Sequence, residues 1–147
     1  MNVERLLATT RRAWASSMAP AEYASLLTQL LDADHDRMRL LSAYLQELAA
    51  GSLEWDAIQS LQLQEIRHCV VLAALLREEG ETPTPAVGRF YGRGLALRDW
   101  KERFGLLRHI GAWLAARLAA GLPRVPPRAR HVLQEMLDSH LATLSGR

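Results

Sequence analysis

Residues 53–79 carry the pattern that most restricts this chain. Ile58, Leu61, Cys69, Leu72 and Leu76 recur at helical spacing. At about 100° per residue they fall within roughly 40° of one direction. Glu65 lies near the middle of that stripe and His68 on its flank. A carboxylate buried alone is too costly to keep charged. The chain must therefore cover this helix with others that bring Glu65 a cation or a proton. Glu65-x-x-His68 also places two metal-ligand side chains one turn apart on one face, the spacing that carboxylate-bridged metal pairs use inside helical bundles.

The rest of the chain reads as further helices. Residues 1–18 form an amphipathic lead-in with Val3, Leu6, Leu7 and Trp14 as its apolar points. Pro20 suits a first helical turn, and Tyr23, Leu26, Leu27, Leu30, Met38, Leu41, Leu45 and Leu48 mark the buried face of a helix over 20–50. Gly51 is its stop. The second helix spans 53–79 and stops at Gly80. The proline-rich break that follows opens a crossover over 81–96, in which Phe90 and Tyr91 plug one end of the bundle. A third helix spans 97–120, stopped by Gly121 and Pro123, and a fourth spans 126–144 after Pro126-Pro127. No strand-like alternation interrupts this. The expected fold is all-α: an antiparallel four-helix bundle in one domain, two hairpins joined by a long crossover, with a short N-terminal helix.

Composition narrows the functional classes. With 147 residues and 49% hydrophobic content, the chain suits one packed domain. A net charge of +2 is too small to argue for nucleic acid, and no basic run alternates with aromatics. Of its 18 basic residues only Lys101 is lysine, an arginine bias of the kind a G+C-rich bacterial genome produces. One cysteine, Cys69, excludes an internal disulfide and multi-cysteine metal sites. No apolar run approaches 18 residues and no signal peptide is visible. The expectation is a cytoplasmic protein that engages neither membrane nor nucleic acid.

Other polar residues share apolar faces with the Glu65–His68 pair. Asp34 points near the mean direction of Leu30, Leu41, Leu45 and Leu48, and Arg37 follows one turn later. His35 and Asp36 project to the side and are expected in solvent. His109 sits on the flank of the third helix, with Glu102 two turns before it. His140 lies between the directions of Leu133, Met136 and Leu144 on the fourth. His131, Glu135 and Asp138 point away from that stripe and read as a solvated face. Asp34, Glu65 and His68, with His109 or His140 as a further ligand, are the candidate metal-binding residues. The alternative is a buried Asp34–Arg37–Glu65–His68 salt-bridge network.

Asp34 followed by Glu65-x-x-His68 on successive helices resembles the ferritin-like superfamily, over roughly residues 20–145. Its rubrerythrin-like members bind two irons and handle oxygen or peroxide; others use manganese, and some have lost the metal. Phe90-Tyr91 before a long helix with Trp113 and then Leu122-Pro123 is similar to an uncharacterised bacterial ferritin-like family. The resemblance implies iron or manganese as cofactor and a small-molecule oxidant as substrate. The departures are specific: Asp34 stands where glutamate is usual, and Leu137 stands where the second Glu-x-x-His needs its glutamate before His140. The first half-site is present and the second degraded, which favours one metal over two.

Two functions follow. One is redox handling of oxygen or peroxide at a degenerate carboxylate/histidine site. The other is a metal-free bundle that acts as an interaction module or homodimer, with Trp14 and Trp100 on its contact surface. A third and weaker reading is small-molecule binding beside Phe90 and Tyr91.

Overall fold

A computed structural model describes residues 2–5, 17–84 and 86–146. The expectations for Leu6, Leu7 and Trp14 lie outside these residues, and Val3 is exposed. The described residues are all-helical, without a strand. The elements are α1 (Pro20–Leu45), α2 (Leu53–Glu78), a short α3 (Tyr91–Ala96), α4 (Trp100–Gly121), a 3-10 turn (Leu122–Arg124) and α5 (Pro127–Leu144). No described helix is long and apolar enough to cross a membrane.

Local chemistry sets the helix ends. Pro20 and Pro127 open α1 and α5 with φ already fixed for a helix. The Ser52 hydroxyl accepts from the Trp55 N–H at the start of α2, and the Asp99 carboxylate accepts from the Lys101 N–H at the start of α4. Leu97 is extended, so α4 starts at Trp100 rather than at residue 97. α1 ends at Leu45, not near residue 50. Its continuation tightens, with the Glu47 N–H on the Tyr44 carbonyl and the Leu48 N–H on that of Leu45. Gly51 then turns the chain at φ +82°, a conformation that costs other residues more.

Side-chain pairs fix the helix directions. Arg37 meets Glu65, Ser42 meets Gln62, and Tyr23 lies near Glu79, so α1 and α2 run antiparallel. α4 starts with Trp100 against Tyr44 and ends with Gly121 against Leu26, so it runs back along α1. α5 runs opposite to α2, from the Arg128–Glu79 ion pair to Thr143, whose hydroxyl donates to Gln64. Leu30, Leu41, Ile58, Leu72, Ile110 and Leu133 are fully enclosed where these helices meet. Each such side chain contributes about 1.5–3 kcal/mol relative to exposure.

The crossover does not plug an end. It lies along one side of α1, on residues 36, 40 and 44. The Asp36 carboxylate accepts from the Gly88 N–H at 2.8 Å and the Phe90 N–H at 3.1 Å. Gly94 lies against Leu40 where a Cβ would clash, and the Tyr44 hydroxyl donates to the Gly94 carbonyl at 2.9 Å. Phe90 is buried edge-on to Trp113 and His109 of α4. Asp36 is therefore buried, contrary to its expected place in solvent: the side of α1 that it faces is covered by the crossover.

Trp100 is also not a free contact surface. It is half-buried, edge-on to Tyr44 at 5.8 Å, and lies 4.7 Å from the Arg103 guanidinium. Arg103 is 3% exposed, stacks on Tyr44 as well, pairs with Glu47 at 2.6 Å and donates to the Leu97 carbonyl. This bracket ties the end of α1 to the start of α4.

Candidate metal centre

Three helices deliver the candidate ligands to one buried point. α1 brings Asp34, α2 brings Glu65 and His68, and α5 brings His140. One donor atom from each lies within 4.8 Å of the others. Asp34 and Glu65 are fully enclosed, His140 is 1% exposed and His68 is 8% exposed. The two imidazoles meet edge to face, with ring centroids 4.8 Å apart.

Many polar atoms in this cluster have no hydrogen-bond partner. They are both Asp34 oxygens, Oε2 of Glu65, Nδ1 of His68 and both ring nitrogens of His140. A buried polar atom left unpaired costs about 1–3 kcal/mol, so such a convergence calls for an occupant. Donors bound to one ion at 2.0–2.2 Å lie about 3–4 Å apart. The donors, spread over up to 4.8 Å, draw closer to close on a divalent cation. The donor set is nitrogen and oxygen only. Burial, reinforced by the Asp34 and Glu65 charges, pushes the Cys69 thiol up and keeps it protonated.

The electrostatics describe the cluster with no cation added. Burial, then the charge of the neighbouring Glu65, hold the Asp34 carboxyl well above its usual range. Burial pushes Glu65 up too, but the adjacent Asp34 carboxyl, the Arg37 charge and the two histidines outweigh it and leave Glu65 lowered. Of the two carboxyls, Asp34 is therefore the one that holds a proton more readily, while Glu65 faces Arg37. Burial lowers His68 despite Glu65. It takes His140 down to about 4. Both imidazoles are neutral near pH 7, the form that ligates metals.

Arg37 is the residue that complicates the site. It is 2% exposed, and its Nη1 donates to Glu65 Oε1 at 2.8 Å. Its Nη2 faces Gly111 of α4, where an added Cβ would lie 3.2 Å away. α4 therefore presents a glycine, and the guanidinium takes the space beside it. A cation is thus already built into the cluster on the α4 side, beside Asp34, Glu65, His68 and His140.

His109 is not part of this arrangement. It is exposed on α4, beside Phe90, and Glu102 is exposed as well. The inward positions of that helix are Leu106, Leu107, Ile110 and Gly111, so a residue on the flank of this stripe points out. His131 and Glu135 pair with each other on the solvated face of α5. Leu137, one turn before His140, is buried. The beginning of the crossover, with Trp113, Arg89 and Asp32, lines a separate cavity of about 370 Å³ beside Phe90. Asp36 went unrecognised in the sequence. Its signal was the run Gly88-Arg89-Phe90, whose backbone N–H groups need an acceptor once the loop is buried.

A family model described as a domain of unknown function, DUF6306, matches residues 21–146. No curated protein and no solved structure matches the chain.

Proposed function

The chain belongs to the DUF6306 family, whose description assigns no chemistry, and we propose from the site itself that it is a ferritin-like four-helix bundle holding one redox-active metal ion. The observation that carries this reading is the unpartnered donor set of Asp34, Glu65 Oε2, His68 and His140, enclosed within 4.8 Å. Those four residues would hold the ion. Two imidazoles with two carboxylates and no thiolate suit iron or manganese. A bound ion would supply one-electron chemistry toward a small oxidant such as oxygen or peroxide.

The chain's own residues define the rest. Arg37 fixes one oxygen of Glu65 and leaves the other open. The neutral histidines need lose no proton to bind. Ile58, Leu72, Ile110 and Leu133 are fully enclosed in the same core, and Asp34 and Glu65 are as closed to bulk water as they are. The topology of two antiparallel hairpins joined by a crossover supports the ferritin-like reading, and the buried Leu137 argues against a second ion there. Titration of metal-free protein with manganese(II), followed by electron paramagnetic resonance, tests the proposal. Saturation near one ion per chain is expected, with the site abolished in the His68→Ala/His140→Ala double variant. A free-ion spectrum at all ratios excludes it for manganese, and the same outcome with anaerobic iron(II) removes it altogether.

The Arg37–Glu65 pair favours a second reading, a metal-free structural network in an interaction module. The proton held by Asp34 and the charge of Arg37 already balance the two carboxylates. In that case metal has no effect on thermal stability, and the search moves to partners, a second copy first among them.

A further inference from the structure

Arg37 has another side. A cavity of about 180 Å³ opens between the four long helices and is lined by Arg37 from α1, Leu61 from α2, Phe104, Leu107 and Arg108 from α4, and Thr143 and Leu144 from α5. Its walls are mostly apolar, from three leucines and Phe104, two arginines line it, and no Asp or Glu lines it among the described residues. The Arg37 Nε is buried and has no acceptor. Arg108 is exposed on α4 and adds a second positive charge.

We propose that this cavity binds a small monocarboxylate with a short aliphatic tail, its carboxylate turned to Arg37 and its tail against Leu61, Leu107 and Leu144. Charge selects an anion: Glu65 balances Arg37 from its far side, but two arginines and no carboxylate line the cavity itself. The apolar walls select against a fully hydrated anion such as phosphate, which would lose its water without gaining enough donors. Size sets the length. At about 30 Å³ per water-sized unit, the space takes roughly six non-hydrogen atoms, the size of butyrate. Guanidinium and carboxylate are also a pair that gains strongly from a charge-assisted hydrogen bond. The proposal uses the unsatisfied donor of Arg37 and requires no metal, so it stands or falls apart from the metal reading.

The test is titration of the metal-free, full-length protein with sodium butyrate, followed through backbone amide shifts in two-dimensional NMR. Butyramide, equal in size but uncharged, and inorganic phosphate are titrated in parallel at constant ionic strength. Saturable shifts centred on residues 61, 107 and 143 are expected with butyrate, and butyramide should bind about tenfold more weakly or worse. Leu61→Trp fills the cavity from α2 and should abolish the butyrate shifts. Leu144→Trp, at the end of α5, does the same from the other side and serves if the first variant fails to fold. Arg108→Ala should weaken butyrate roughly two- to fivefold, as expected for a partly screened charge. Equal binding of butyrate and butyramide overturns the proposal. So do phosphate binding as tight as butyrate, and butyrate shifts that persist in a folded cavity-filled variant.

Discussion

Arg37 donates to Oε1 of Glu65 at 2.8 Å and leaves Oε2 of the same carboxylate without a donor. One buried carboxylate thus faces a fixed cation on one side and three other candidate ligands on the other. Arg37 is the built-in counter-charge of Glu65 and, in the proposed metal reading, the group that limits how many further cations the cluster can take.

Removing Arg37 should therefore be costly without metal. Arg37→Met leaves Glu65 buried and uncompensated, a loss of about 3–5 kcal/mol. The double variant Arg37→Met/Glu65→Leu should recover most of that, because both charges are then gone. Urea denaturation of the metal-free proteins measures it. Equal destabilisation in the single and double variants would mean that packing, not charge, holds Arg37.

Asp34 separates stability from metal binding. Its carboxyl is held well above the usual range by burial and by Glu65, so in metal-free protein it resembles an amide in charge and shape. Asp34→Asn should change the unfolding free energy by less than about 1 kcal/mol while removing one anionic ligand. Metal affinity should fall at least about tenfold, as a 1.4 kcal/mol loss already gives that factor. The two quantities are read from denaturation and from manganese titration.

The acid limb of stability reports on His140. Its folded value is about 4, against 6.5 for the ordinary group. Between those values the unfolded chain takes up a proton that the folded chain refuses. Stability from this residue is fully present above pH 6.5 and is lost as pH falls toward 4, about 3 kcal/mol in all. Asp34 acts in the opposite sense: its raised value favours the folded state at low pH and weakens it as pH rises through that value. Metal-free His140→Gln should lose the His140 contribution and unfold with a flatter pH dependence between 6.5 and 4. An unchanged slope would place the titrating group elsewhere.

Much of the site was legible because it follows single helical stripes. Asp34, Glu65 and His140 each fall among leucines at helical spacing, and a carboxylate or imidazole there has to be buried with company. Asp36 was not legible for the same reason in reverse. A wheel that assumes one buried stripe assigns it to solvent, yet α1 is covered on a second side by the crossover, through Asp36, Leu40 and Tyr44. His109 and His68 both flank an apolar stripe on their helices. Only the packing, with α5 beside α2 and the glycine of α4 beside Arg37, turns one inward and leaves the other out. The end of α1 was misplaced because Gly51 marks the turn while the helix itself stops at Leu45.

Asp36 gives the prediction for the crossover. It is the acceptor for two backbone N–H groups at Gly88 and Phe90. Asp36→Ala should cost about 2–3 kcal/mol, since it orphans donors that had a charged partner. Asp36→Asn keeps one carbonyl oxygen and should cost less. Hydrogen exchange over residues 86–96 should speed up in the alanine variant while the core of α2 and α5 stays protected. Uniform deprotection would mean that the crossover does not open as a separate unit.

The most direct test of the metal assignment is elemental content per chain. Protein purified without chelator or affinity tag, then loaded anaerobically with iron(II) or manganese(II) and desalted, should retain close to one ion per chain. Glu65→Ala and His140→Ala should retain far less. Two ions per chain would contradict the limit set by Arg37 and Leu137. No retained ion in the wild type, under both loadings, would contradict the metal reading and leave the cluster as a proton-and-arginine-balanced core.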